Sequence, residues 1–176
     1  ATAQGNPFYL EELVGTLAET GVLVRDGDGW RFDHEAEIVI PPTVEKVILA
    51  RIDRLSDRDR GVLTAASVLG RRFGLPLLEG VTGANGSLQE SLSALQRVDL
   101  IREARRRPEP EYRFKHALIQ EAAYRTLLSA DCEGLHRKAL GWLETRYAEN
   151  RDEVLGLLAH HALAGNAEDE AVLYLT

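Results

Sequence analysis

The chain has 176 residues and a formal net charge of −7, with 44% hydrophobic and 28% charged residues. These proportions suit a globular core of ordinary size, and no apolar run approaches the ~20 residues that span a bilayer. The acidic total disfavours the chain as a nucleic-acid ligand, because phosphate binding rests on clustered Lys and Arg.

The N-terminal Ala-Thr-Ala-Gln-Gly-Asn has neither the basic patch nor the apolar stretch of a secretory leader. The single cysteine, Cys132, allows no internal disulfide and suits a reducing, cytoplasmic setting. Asn6 is a good N-cap and Pro7 fits the first helical position, where its missing N–H would have no partner anyway. Leu10, Leu13, Val14 and Leu17 then fall on one helical face, expected to be the buried one. Val22-Leu23-Val24, the Asp26-Gly27-Asp28-Gly29 turn and Trp30-Arg31-Phe32 read as a β-hairpin. After the break at Pro41-Pro42, Thr43 caps a second helix with Val44, Val47, Ile48, Ile52 and Leu55 inward. Ser56 and Asp59 form a capping box for a third helix, with Val62, Leu63, Ala66 and Leu69 buried and Gly70 at its end.

A short helix is expected around Pro76–Gly80, and a further one over 87–98 with Leu88, Leu92 and Leu95 inward, opened by a Ser87/Glu90 capping box. Leu100-Ile101 and Tyr112-Arg113-Phe114 read as strands flanking the charged 105–111 loop. Helices followed by a two-stranded wing make residues 41–116 a winged-helix domain, preceded by a helix and hairpin over 1–40. An internal echo supports that reading. A shift of 78 positions aligns Leu10, Val14, Leu17 and Leu23 with Leu88, Leu92, Leu95 and Ile101, and the two hairpin ends align with four extra residues. Residues 117–176 are purely helical. Ile119, Ala122 and Ala123 share one face, Leu135, Ala139, Trp142 and Leu143 another, and Leu155, Leu158, Ala159, Ala162 and Leu163 a third. Such helices resemble the start of a TPR-like antiparallel array. The fold class expected is therefore mainly α: a helical lid, a winged helix with small β-hairpins, then TPR-like helices. The sequence starts on a helix cap and stops inside a helical pattern, as expected of a piece of a longer protein.

No catalytic constellation emerges. A P-loop needs G-x-x-x-x-G-K-[ST], and the chain has no Gly-Lys pair, so this stretch is not expected to be an enzyme. There is no H-E-x-x-H and no G-x-S-x-G elbow. Adjacent His160 and His161 point about 100° apart on a helix, poor geometry for sharing one ion, so no metal site is expected. DNA readout would fall to the 87–98 helix, whose exposed side is expected to carry Gln89, Glu90, Ser91, Ser93, Gln96 and a single base, Arg97. The six basic residues between Arg102 and Lys115 outnumber three acidic ones, so the Arg105-Arg106-Arg107 wing tip is the one stretch suited to a phosphate backbone. Solvation alone also accounts for these arginines. From Asp131 onward nine acidic residues face four basic ones, which suits a protein partner better than nucleic acid.

Two segments carry a resemblance. Gly5-Asn6-Pro7-Phe8-Tyr9-Leu10-Glu11-Glu12-Leu13 resembles the G-x-P segment in the lid of STAND-class signal-transduction ATPases, and Tyr112-Arg113-Phe114-Lys115-His116-Ala117-Leu118 resembles the histidine motif that ends their winged helix. The likeness extends over nearly the whole chain and is strongest to bacterial members followed by TPR-like helices, often fused to a class III adenylate cyclase or a LuxR-type regulator. It implies that Gly5, Asn6 and Pro7 lie near the adenine and His116 near the β-phosphate of ADP. ATP or ADP with Mg would then be held mainly by an upstream ATPase domain in cis. Partner or effector contacts would fall to the C-terminal helices. Ala117 stands where immune-receptor relatives carry aspartate, so any role of that carboxylate is missing. On residue chemistry alone His116 admits two readings: an imidazole beside the free amides of a helix start suits an anion, and a histidine beside Phe114 equally serves as a structural cap. The function implied is a regulatory and coupling module. The alternatives are a winged-helix DNA-binding domain and a purely structural scaffold.

Overall fold

A computed structural model of the chain describes residues 7–19, 22–26, 29–32, 44–83 and 88–175. Among these residues it is mainly helical with a few short antiparallel strands, and no helix is long and apolar enough to cross a membrane. Two compact units divide at Leu55/Ser56.

The first unit holds α1 (Pro7–Glu19), β1 (Leu23–Asp26), β2 (Gly29–Phe32) and α2 (Val44–Asp53). Pro7 opens α1, as its fixed φ favours. The hairpin pairs Leu23 with Phe32 and Asp26 with Gly29. The α2 helix, assigned by the sequence to the winged-helix stretch, packs on α1 within this unit. It buries Val47, Ile48 and Ile52 as its periodicity predicts. The expected α1 face behaves differently: Leu10 and Val14 remain 49% and 48% exposed, and Trp30 on the hairpin is 60% exposed. A unit of this size buries a small share of its surface, so one apolar face stays open.

The second unit begins with Ser56, whose Oγ accepts the Asp59 N–H at 3.1 Å and caps α3 (Asp57–Val68). From Val62 to Val68 every residue of α3 is buried, which makes this helix the centre of the unit. Gly70 adopts φ 103°, a left-handed turn that glycine takes without a Cβ clash. There follow β3 (Arg72–Gly74), α4 (Leu75–Thr82), α5 (Leu88–Arg97), β4 (Ile101–Arg105) and β5 (Glu111–Phe114). The three strands form an antiparallel sheet in the order β3-β5-β4. Phe73, Tyr112, Phe114 and Ile101 line its inner face, with Phe73 stacked on Tyr112 at 6.0 Å and edge-on to Phe114 at 5.7 Å.

Beyond the sheet come α6 (Ala117–Arg125), α7 (Ser129–Arg146), a one-turn 3-10 helix (Arg151–Val154), α8 (Leu155–Ala164) and α9 (Glu168–Leu175). The last helices share a cluster of Leu140, Leu143, Val154, Leu158, Ala162 and Tyr174, and Leu77 and Trp142 pack against it. The Tyr174 hydroxyl donates to the Glu144 carboxylate. Leu77 belongs to α4, so the sheet-bearing half and the helical half share one core. The indole of Trp142 lies directly over Gly80 of α4, where any Cβ would overlap the ring. Leu155 and Leu163, expected inward, are exposed, because α8 meets α7 and α9 through Leu158, Ala159 and Ala162 instead.

Candidate functional site

Of the residues singled out from the sequence, Gly5 and Asn6 lie outside the described residues. Pro7 is exposed at the start of α1 in the first unit; His116 belongs to the second. His116 stands at the junction of β5 and α6 as the N-cap of α6, with extended backbone and no side-chain cap bond. Its carbonyl accepts the Ile119 N–H at 3.2 Å. The junction is fastened from both sides: Phe114 N–H donates to the Arg71 carbonyl at 3.1 Å, and Lys115 N–H to the Leu100 carbonyl at 3.0 Å.

The outer face of the sheet beside this junction is basic. Arg72, Arg113 and Arg102 are direct cross-strand partners on three successive strands. Like charges so arranged repel, and an anion or a nearby carboxylate relieves them. Asp99 supplies part of that relief, bonding the Lys115 ammonium at 2.5 Å and Arg102 at 3.2 Å. Burial opposes ionisation of Asp99, yet the hydrogen bonds from Lys115 and Arg102 hold its carboxyl below the usual carboxylate range. Arg71, Arg72, Arg113, Phe114 and Lys115 line a shallow depression of about 350 Å³. At the wing, Arg105 pairs with Glu111 at 3.5 Å and Arg106 with Glu103 at 2.7 Å.

The exposed side of α5 is poorer in donors than expected. Ser91 is buried, Gln89 bonds Tyr112, and Glu90 accepts from Arg58 at 2.9 Å.

A second cluster was hidden from sequence reasoning. His136 on α7 sits against His160 and His161 on α8, with ring centroids 5.5 and 5.0 Å away. Two rings about 100° apart on one helix straddle a third ring delivered by a facing helix, a placement that spacing along α8 cannot reveal. His136 and His161 are 0% and 1% exposed, and their Nδ1 atoms lie 2.8 Å apart. Tyr124 of α6 bonds His136 Nε2 at 3.1 Å through its hydroxyl. Burial first, then the neighbouring imidazoles, lowers both buried histidines to about 4, so they are neutral at pH 7. The hydrogen bond with Cys132, with burial adding to it, pushes the Tyr124 hydroxyl up to about 12.

No family model matches the chain. It is similar to an uncharacterised protein of Rhizobium meliloti (strain 1021), with 28% identity over 174 residues, covering 96% of this chain and 16% of that protein's length. The chain therefore spans about a sixth of the curated relative it matches.

Proposed function

We propose that this chain is a regulatory and coupling module of a larger STAND-class signalling ATPase. In this reading the first unit is the lid and the second combines a winged helix with the first TPR-like helices. The order helix, strand, helix, helix, strand, strand over 57–114, with sheet order β3-β5-β4, supports the winged-helix assignment. The succession α7, α8 and α9, each packed on the next, supports the repeat assignment.

The observation that carries the proposal is His116 at a fastened strand-to-helix junction beside a basic sheet face. Free amides at the start of α6 and the arginine row together suit a phosphate group that another domain holds. The half-exposed Leu10, Val14 and Trp30 offer that domain an apolar face in cis. Nucleotide state would then bias two arrangements of lid and winged helix, and the helices after α6 would carry the change onward.

DNA binding is the weaker reading. The α5 surface is tied up by Glu90 and Gln89, and the wing arginines Arg105 and Arg106 already pair with acids. The test joins this chain to its upstream ATPase domain and measures ADP affinity. His116→Ala should weaken ADP at least about ten-fold, the order expected for losing a charge-assisted hydrogen bond. Unchanged ADP affinity together with unchanged basal activity would remove the sensor role. Tight duplex binding that falls steeply with salt would favour the DNA reading instead.

A further inference from the structure

The histidine cluster does not include His116, and its geometry is that of a ligand set. We propose that His136, His160 and His161 form a binding site for one divalent transition-metal ion, Zn²⁺ by ligand preference, clamping α7 to α8. Among the described residues these three offer ligand nitrogens that all lie within 4.8 Å of one another. A tetrahedral ion bound at about 2.0–2.1 Å separates its nitrogen ligands by about 3.3 Å. The Nδ1 atoms of His136 and His161, at 2.8 Å, need to part by about half an ångström, within the reach of small χ adjustments.

The surroundings of His136 match those of a metal-ligating imidazole. Such rings use one nitrogen for the ion and give the other N–H to a fixed acceptor, which sets the tautomer. Here Nε2 faces the Tyr124 hydroxyl oxygen at 3.1 Å, and the Tyr124 O–H in turn is bonded with Cys132, one helical turn before His136 on α7. With Nε2–H donating to Tyr124, the Nδ1 lone pair of His136 points at His161. In the metal-free protein that lone pair accepts the Nδ1–H of His161. An incoming ion takes the place of this proton, which leaves His161 Nδ1 for its own Nε2 by way of solvent, or for solvent itself.

His160 is exposed, in contrast to its two partners. It completes the third ligand from the solvent side and leaves the fourth position to water, an added small ligand or a partner's side chain. Imidazole donors suit Zn²⁺, Cu²⁺ and Ni²⁺ over Mg²⁺ or Ca²⁺, which require oxygen. The site bridges two helices and, through Tyr124, touches a third.

The full chain, stripped with chelator, is titrated with Zn²⁺ by equilibrium dialysis and with Co²⁺ by visible absorption. One ion per chain and an intense four-coordinate Co²⁺ band are expected. His160→Ala, at an exposed position that the fold does not need, should weaken zinc at least ten-fold with an unchanged far-ultraviolet spectrum. Tyr124→Phe should weaken it about ten-fold by freeing the His136 tautomer. Zinc should raise the melting temperature of the parent chain and leave that of His160→Ala unmoved. The proposal is overturned if the chain retains no zinc, or if His160→Ala binds it as tightly as the unaltered protein. Neither result bears on ADP, so this site and the ATPase reading stand or fall separately.

Discussion

His136 and His161 make the stability of the second unit depend on pH in a definite direction. Their folded pKa values, about 4, lie below the ordinary 6.5, so the unfolded chain takes up protons first as pH falls. The stabilisation from keeping them neutral is complete above pH 6.5, declines through the interval down to about 4, and changes no further below it. Across that interval the loss is on the order of 3 kcal/mol for each histidine, since each pKa unit corresponds to about 1.4 kcal/mol. Urea unfolding midpoints at neutral pH and near pH 5 should differ accordingly; equal midpoints would refute a neutral buried pair. Ser91 supplies a second test at this scale. In the middle of α5 its Oγ is buried and, among the described residues, has no hydrogen-bond partner. Ser91→Ala removes a desolvated hydroxyl and raises helix propensity, and should stabilise the protein by roughly 1 kcal/mol in the same assay.

Among elements, the packing of α4 on α7 turns on Gly80. Alanine there gains helix propensity of roughly 1 kcal/mol but overlaps the Trp142 ring, and overpacking of this kind costs about 1–3 kcal/mol. Gly80→Ala should therefore destabilise the parent chain and stabilise a Trp142→Ala background, a sign change that a double-mutant cycle reads directly. Much of this level was legible beforehand, because local signals and tertiary demands agree. The Ser56 cap, the Gly70 stop, the inward faces of α3, α5 and α6, and both hairpins follow from capping chemistry and periodicity. The β3 strand escaped notice, since three residues carry no alternation and β3 exists through pairing with β5. Leu10, Val14, Leu155 and Leu163 obey helical periodicity yet remain uncovered, because periodicity identifies a face without saying what lies against it. The histidine cluster was invisible for a related reason: its third member arrives from another helix, 24 residues before His160 in the sequence.

For the whole molecule, the exposed Leu163, Val172 and Leu173 sit on the last two helices. On the repeat-array reading, a following helical pair would cover part of this surface. Each added interface then contributes to stability through nearest neighbours. A chain extended by the parent's next two helices should unfold at a higher urea concentration and with a steeper transition than residues 1–176 alone. No gain on extension would argue for an isolated helical cap over the start of an array.

The Tyr124 hydroxyl has one more consequence. It lies on the helix that His116 begins, two turns further along, and its contact with His136 ends the run from strand β5 to the imidazole triangle. A slide or rotation of that helix would tug on one ring of the triangle. Cobalt in the triangle would then change colour with such a movement, giving it an optical gauge.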